Sequence, residues 1–565
     1  MHDNKGLGLR QRAVAVAAAA LFLAGQAVSS PAIAAPQRVE LNQGWSKDEA
    51  EFYAHANEGT NIAPLPFLLN LPDPQVAGGK FLDRLTTQYG FIASAPSSLN
   101  PHGLPVGFAI DTRPRIFGDR DYVGITCSAC HTRQLTYGNV VMPVHGGPAL
   151  ADLQALKGDL YDAFFALLED DQLAGTFAQG VLGHAPTPEE IAALRDEIRA
   201  FTGPVTMARA LLVRAQIPPA DFGPGNLNAL SQGVYNNAGL AAWIAGSNPA
   251  APGGPPPVAP RFEGTVNLPS MWFAPADDWA QWFAEIHDAG PRNWIQSVST
   301  WEVRPPKMTA AQGSAALITS IHFDNIAQIQ ESLERLRTPK WPEAVFGPLD
   351  LVKVEEGRAL YEANCAQCHT RTRLPPNELG VVFKERPAFD VGTDPTAYEQ
   401  FAADAANRVS GLQSMSAKII DLRRTQLTGQ FGEAIAANYF KMSSRGRPNQ
   451  FVLATDDYRG SEEPYWPRSG AAYWASPLEG IFASSPYFHN GSVRNLWDVL
   501  TPPAQRPKTF QTGTTEFDVE AVGLRSEGRF LYDTAEPGKS NGGHPFGTDL
   551  AQEQKAALIE YLKSL

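Results

Sequence analysis

The chain of 565 residues holds four cysteines, and all four fall in two copies of one five-residue pattern, Cys127-Ser-Ala-Cys-His131 and Cys365-Ala-Gln-Cys-His369. Cys-x-x-Cys-His is the attachment pattern of c-type haem, in which two thiols add to the vinyl groups and the adjacent imidazole is held where it binds iron. The spacing puts both cysteines of a pair on one helical turn, facing the same porphyrin edge. No cysteine is left for a disulfide. Two half-zinc sites would share the Cys-x-x-Cys spacing, but zinc does not require His immediately after each pair. The sequence therefore predicts two covalently bound c-type haems. Cys127, Cys130, Cys365 and Cys368 are the attachment residues, with His131 and His369 as proximal iron ligands.

A chain of this length exceeds one ordinary core, and one haem site per domain fits a division in two. An apolar fraction of 43% is globular, while 46 Pro and 49 Gly point to long connections between modest elements. The expected fold is mainly α with extensive loops, built as two cytochrome c-like haem domains, rather than a large sheet. At the N-terminus Lys5, Arg10 and Arg12 precede an apolar run from Ala13 to about Gly25 and then Ala32-Ile33-Ala34, a secretory signal pattern. The run is shorter than the roughly 20 residues that span a bilayer. We therefore expect a signal peptide over 1–35, an N-terminal haem domain over 36–340 and a C-terminal cytochrome c domain over 341–565. The mature chain is expected to be periplasmic or secreted, with no integral membrane segment. A net charge of -13 excludes a broadly basic face, and with it nucleic acid as a partner.

Periodicity places several helices. Leu150, Leu153, Leu156, Leu160 and Phe164 recur at helical spacing, Thr187-Pro-Glu-Glu190 has a capping-box pattern, and Ile326, Ile329, Leu333 and Leu336 form another stripe. Phe67, Leu68, Leu69, Leu71, Phe81 and Leu82 are expected to pack under the first haem region. Residues 248–260 (NPAAPGGPPPVAP) read as a surface loop. Glu355 to Tyr361 reads as a helix before the second motif. Leu558, Tyr561, Leu562 and Leu565 give a terminal helix one apolar stripe that needs a partner, with a close crossing at Gly357.

What fills the sixth position of each iron decides between electron transfer and catalysis. For the second haem the candidates are His544, in the loop Asn541-Gly-Gly-His-Pro-Phe-Gly547, then His489, in Ser485-Pro-Tyr-Phe-His-Asn-Gly491, then a Met such as Met442. The first motif has no comparably obvious distal partner.

Several stretches together resemble the di-haem rubber-oxygenase-like cytochromes, a family distantly similar to bacterial di-haem cytochrome c peroxidases. They are Gly124-Ile-Thr-Cys-Ser-Ala-Cys-His-Thr132, His145-Gly-Gly-Pro148, Cys365-Ala-Gln-Cys-His369, Val391-Gly-Thr-Asp-Pro395, the Pro-Tyr-Phe-His-Asn-Gly loop and Gly543-His544. The resemblance implies an N-terminal haem that binds dioxygen or peroxide, and a C-terminal electron-transfer haem ligated by His369 and His544. It implies as partners a small redox donor or acceptor protein, and as substrate an apolar alkene or polyisoprenoid, or peroxide. Trp272, Trp282, Trp294 and Trp301 are candidate catalytic or relay residues. The alternative is a pure electron-transfer di-haem cytochrome with both irons six-coordinate.

Overall fold

Ser46 opens the first long element. Its hydroxyl accepts from the Glu49 amide while the Glu49 carboxylate returns to the Ser46 amide, and this capping box starts the helix Lys47–His55. The computed structural model describes residues 36–112, 120–217, 221–228, 264–276, 279–280, 282, 286–287, 293, 320–369, 388–403 and 473–565. The expected signal segment 1–35, the Pro/Gly segment 248–260, Trp294, Trp301 and Met442 lie outside the described residues. Among the described residues 41% are helical and 13% are in strands, so the architecture is mainly α. Its sheets have only two or three strands. No described helix is long and apolar enough to cross a membrane.

The first motif is a single helical turn, Cys127–Cys130, between two such sheets. Before it, the strand Tyr122–Ile125 pairs antiparallel with Phe108–Asp111 and with Ala63–Pro64. After it, Thr132–Tyr137 pairs antiparallel with Val140–His145, with Thr132 opposite His145. Both anchoring strands are short, and the turn is fixed at each end.

Three helices follow. Leu153–Glu169 buries Leu153, Leu156, Leu160 and Phe164, as its spacing requires. Asp171–Leu182 and Pro188–Arg214 pack beside it, the latter opened by the Thr187/Glu190 capping box. With Phe67, Leu68, Leu71 and Phe81 they form one apolar core that also takes in Ala129 and Cys130. Each fully buried Leu or Phe contributes on the order of 1.5–3 kcal/mol, so the first motif rests on a large apolar base.

Residues Gln37–Leu565 form one compact unit. Trp341 and Phe346 share a second buried cluster with Tyr53, Leu135, Met142, Trp272, Phe482 and Tyr561, so residues on either side of position 340 pack together. The helix Leu351–Asn364 and the terminal helix Gln552–Ser564 are the most closely packed pair. The stripe Leu558, Tyr561 and Leu562 is buried. At the crossing a Cβ on Gly357 would stand 2.0 Å from the Ala557 carbonyl oxygen, so only glycine permits this approach.

Candidate functional site: two Cys-x-x-Cys-His centres

The two motifs are held in the same way. His131 Nδ1 donates to the Pro269 carbonyl at 2.8 Å, and His369 Nδ1 donates to the Ser476 carbonyl at 2.7 Å. Because a carbonyl only accepts, each imidazole carries its proton on Nδ1 and leaves the Nε2 lone pair for a metal. A tyrosine hydroxyl then donates to the carbonyl of each histidine, Tyr53 to His131 at 3.4 Å and Tyr361 to His369 at 2.5 Å. Tyr53 comes from the helix Lys47–His55 and Tyr361 from the helix Leu351–Asn364, which leads directly into the second motif. Burial lowers the His369 pKa and favours the neutral form that binds iron.

Across from His369 stands His544. The ring centres lie 6.3 Å apart, beside a cavity of about 220 Å³. Cys365, Cys368 and His369 line one side of it, and Phe488, Leu500, His544 and Phe546 the other. A metal–imidazole bond of about 2 Å on each side, with about 1 Å from each nitrogen to its ring centre, sets two axial rings about 6 Å apart. The donor set and spacing therefore fit a haem iron between His369 and His544. Burial, with the charges of His369 and Arg506 behind it, brings the His544 pKa down to about 4, so this imidazole is neutral at physiological pH. Its buried Nδ1 finds no hydrogen-bond partner among the described residues.

His489 lines the same cavity. Its ring stacks on Tyr473 at 3.5 Å, its Nε2 is buried without a partner among the described residues, and burial brings its pKa down to about 3. Trp282 meets the His489 ring edge-on at 6.5 Å and donates Nε1 to the Asn267 carbonyl at 2.8 Å. Asn267 in turn donates its amide to the His489 carbonyl, two residues before the Pro269 that holds His131. Trp282 thus borders the cavity between His369 and His544 and is tied to the segment supporting the first motif. Trp272 is buried in the core, its Nε1 on the His145 carbonyl.

The first motif has a neighbour that nothing in the sequence pattern signalled. Glu58 is fully buried; its Oε1 accepts from the Cys127 amide at 2.6 Å, and its Oε2 lies 3.1 Å from Cys127 Sγ. Burial pushes its pKa up to about 7, against the lowering effect of those bonds. Arg133, two residues past His131, is also buried and donates Nη1 to the carbonyls of Ala483 and Ser485. It ties the first motif to the Pro-Tyr-Phe-His-Asn-Gly loop. Glu58 lies 69 residues before Cys127 and Arg133 bonds some 350 residues ahead, separations at which no local pattern operates.

Comparison with known proteins bears on the same region. The family described as RoxA-like, cytochrome c-like matches residues 472–511, the segment that carries Ser476 and His489. The match supports a RoxA-like cytochrome: a cytochrome c-like domain, which implies covalently bound c-type haem. Two proteins of Sinorhizobium fredii (strain NBRC 101917 / NGR234) are similar in sequence. Uncharacterized protein y4iJ is 29% identical over 587 residues, 93% of each chain. Uncharacterized protein y4iM is 25% identical over 325 residues, 55% of this chain and 59% of its own.

Proposed function

We propose that this protein is an exported di-haem c-type cytochrome of the periplasm or extracellular space, an oxidoreductase whose two haems have different tasks. The haem on Cys365 and Cys368 is the electron-transfer centre, ligated by His369 and His544. The haem on Cys127 and Cys130, with His131 as proximal ligand, is the centre that binds dioxygen or peroxide. When bound, c-type haem supplies a one-electron redox change and, where an axial position is open, a place for a small oxidant.

The observation that carries this reading is the 6.3 Å separation of His369 and His544, which suits one iron held from both sides. The remaining residues serve that division. Pro269 and Ser476 orient the proximal imidazoles, and Trp282 offers an aromatic step between the segment holding His131 and the second cavity. Glu58 keeps a transferable proton beside Cys127 near neutral pH. A small redox protein is the expected electron partner, and the substrate is peroxide or an apolar alkene such as a polyisoprenoid.

Electronic and electron-paramagnetic-resonance spectra of the purified protein test the division. The expected result is one low-spin centre that ignores carbon monoxide and cyanide, and one centre that binds them, followed by turnover with peroxide or polyisoprene. Two low-spin haems that bind neither ligand would sink the reading in favour of an electron carrier.

A further inference from the structure

His544 reaches across the cavity from a loop with left-handed backbone, and one buried side chain bonds three of that loop's carbonyls. His544 adopts φ +49, in the left-handed region that non-glycine residues seldom occupy. Gly543 before it is also left-handed, at φ +72, and a Cβ there would stand 2.2 Å from the Gly392 carbonyl carbon. The His544 amide donates to the Val391 carbonyl at 2.8 Å. Asn541 also donates its side-chain amide to the Pro507 carbonyl, but the carbonyls of Asn541, Gly543 and His544 face one common donor.

Arg506 is that donor. The residue is 2% exposed, and every nitrogen of its guanidinium donates to backbone carbonyls. Nη1 reaches Asn541 at 2.7 Å and Gly543 at 2.8 Å, and Nη2 reaches His544 at 3.0 Å and Val499 at 3.1 Å. Nε is shared between Asp498 at 3.1 Å and Thr501 at 3.0 Å. The plane lies over Phe488, its central carbon 5.0 Å from the ring centre, and Phe488 itself meets the His544 ring at 5.5 Å. The flat fork therefore bolts three carbonyls of the 541–544 loop to the 498–501 segment. Lysine has three donors on a flexible stem and cannot reproduce six planar bonds.

We propose that Arg506 is the positioning residue that makes His544 an axial ligand, fixing the loop so that the imidazole stands opposite His369. This rests on the reading of His369 and His544 as an axial pair. Arg506 acts through His544 and touches neither iron nor substrate.

The test uses the haem-loaded full chain in three forms, Arg506→Lys, Arg506→Gln and His544→Gly. Spin state and reduction potential of the second haem are measured with and without added imidazole. If Arg506 positions His544, both Arg506 variants lose low-spin character at the second haem, and added imidazole restores it. Lysine fails although it keeps the charge. A low-spin spectrum, potential and imidazole response unchanged in Arg506→Lys, with His544→Gly high-spin, overturns the proposal and leaves the axial pair standing. A low-spin second haem in His544→Gly without added imidazole overturns the axial pair itself. Failure of both Arg506 variants to yield folded, haem-loaded protein, while His544→Gly folds, also overturns the proposal, since it makes Arg506 a folding residue only.

Discussion

Around Cys127 the group that meets the thiol is a buried carboxylic acid, whereas across from His369 the cavity is closed by an imidazole. The two proximal arrangements are otherwise alike: a tyrosine hydroxyl on the histidine carbonyl and a backbone carbonyl on Nδ1. One attachment grammar thus serves two environments, and the difference lies in what the rest of the chain brings to each. The first site receives a buried carboxyl whose pKa burial raises to about 7. The second receives a neutral imidazole on a loop bolted by Arg506.

The largest expected effect separates the sites outright. Replacing both cysteines of one motif by alanine should remove one covalent haem, read as a loss of mass in the intact protein. The Cys127→Ala/Cys130→Ala form should lose carbon monoxide binding and turnover. The Cys365→Ala/Cys368→Ala form should keep carbon monoxide binding. Ligand binding that survives the first change and vanishes with the second would invert the comparison.

Next comes Glu58. In the fold it keeps its proton up to about pH 7, while the unfolded chain releases it near 4.5. Between those values the folded state binds more protons, so stability is greatest below pH 4.5 and falls as pH rises, by about 3 kcal/mol in all. Glu58→Gln is neutral throughout. It should match the parent near pH 4 and exceed it near pH 8, measured by denaturant unfolding at both. An equal gain at both pH values would show that the carboxyl does not titrate as the geometry requires.

A smaller effect belongs to the second site alone. Gly357→Ala should force the helices Leu351–Asn364 and Gln552–Ser564 apart and cost about 1–3 kcal/mol. Unfolding followed through the second haem should show it, with ligand binding at the first site unchanged.

Much of the second site is legible in the sequence because its parts are local or periodic. The terminal stripe of Leu558, Tyr561 and Leu562 demands a partner, and Gly357 offers a surface without a Cβ. The loop around His544 carries Gly542 and Gly543, which marks it in the sequence as a place where the backbone can turn. The supports that align the histidines are not legible, and the reason is physical. Pro269 and Ser476 act through backbone carbonyls, which every residue possesses, and Arg506 also bonds only to carbonyls, so no residue type marks its targets. Trp272 shows the converse: an aromatic in a suggestive stretch is held in the core by His145. Trp282, ten residues on, borders the cavity instead.

The carbonyl partners of the two proximal histidines bear on redox poise. A carboxylate on Nδ1 would draw the proton away and make the imidazole a stronger donor, feeding charge to the metal and favouring its oxidised state. Pro269 and Ser476 present only neutral oxygens. An iron held by either histidine would be spared that push, and would accept an electron more readily than a centre whose histidine leans on an aspartate.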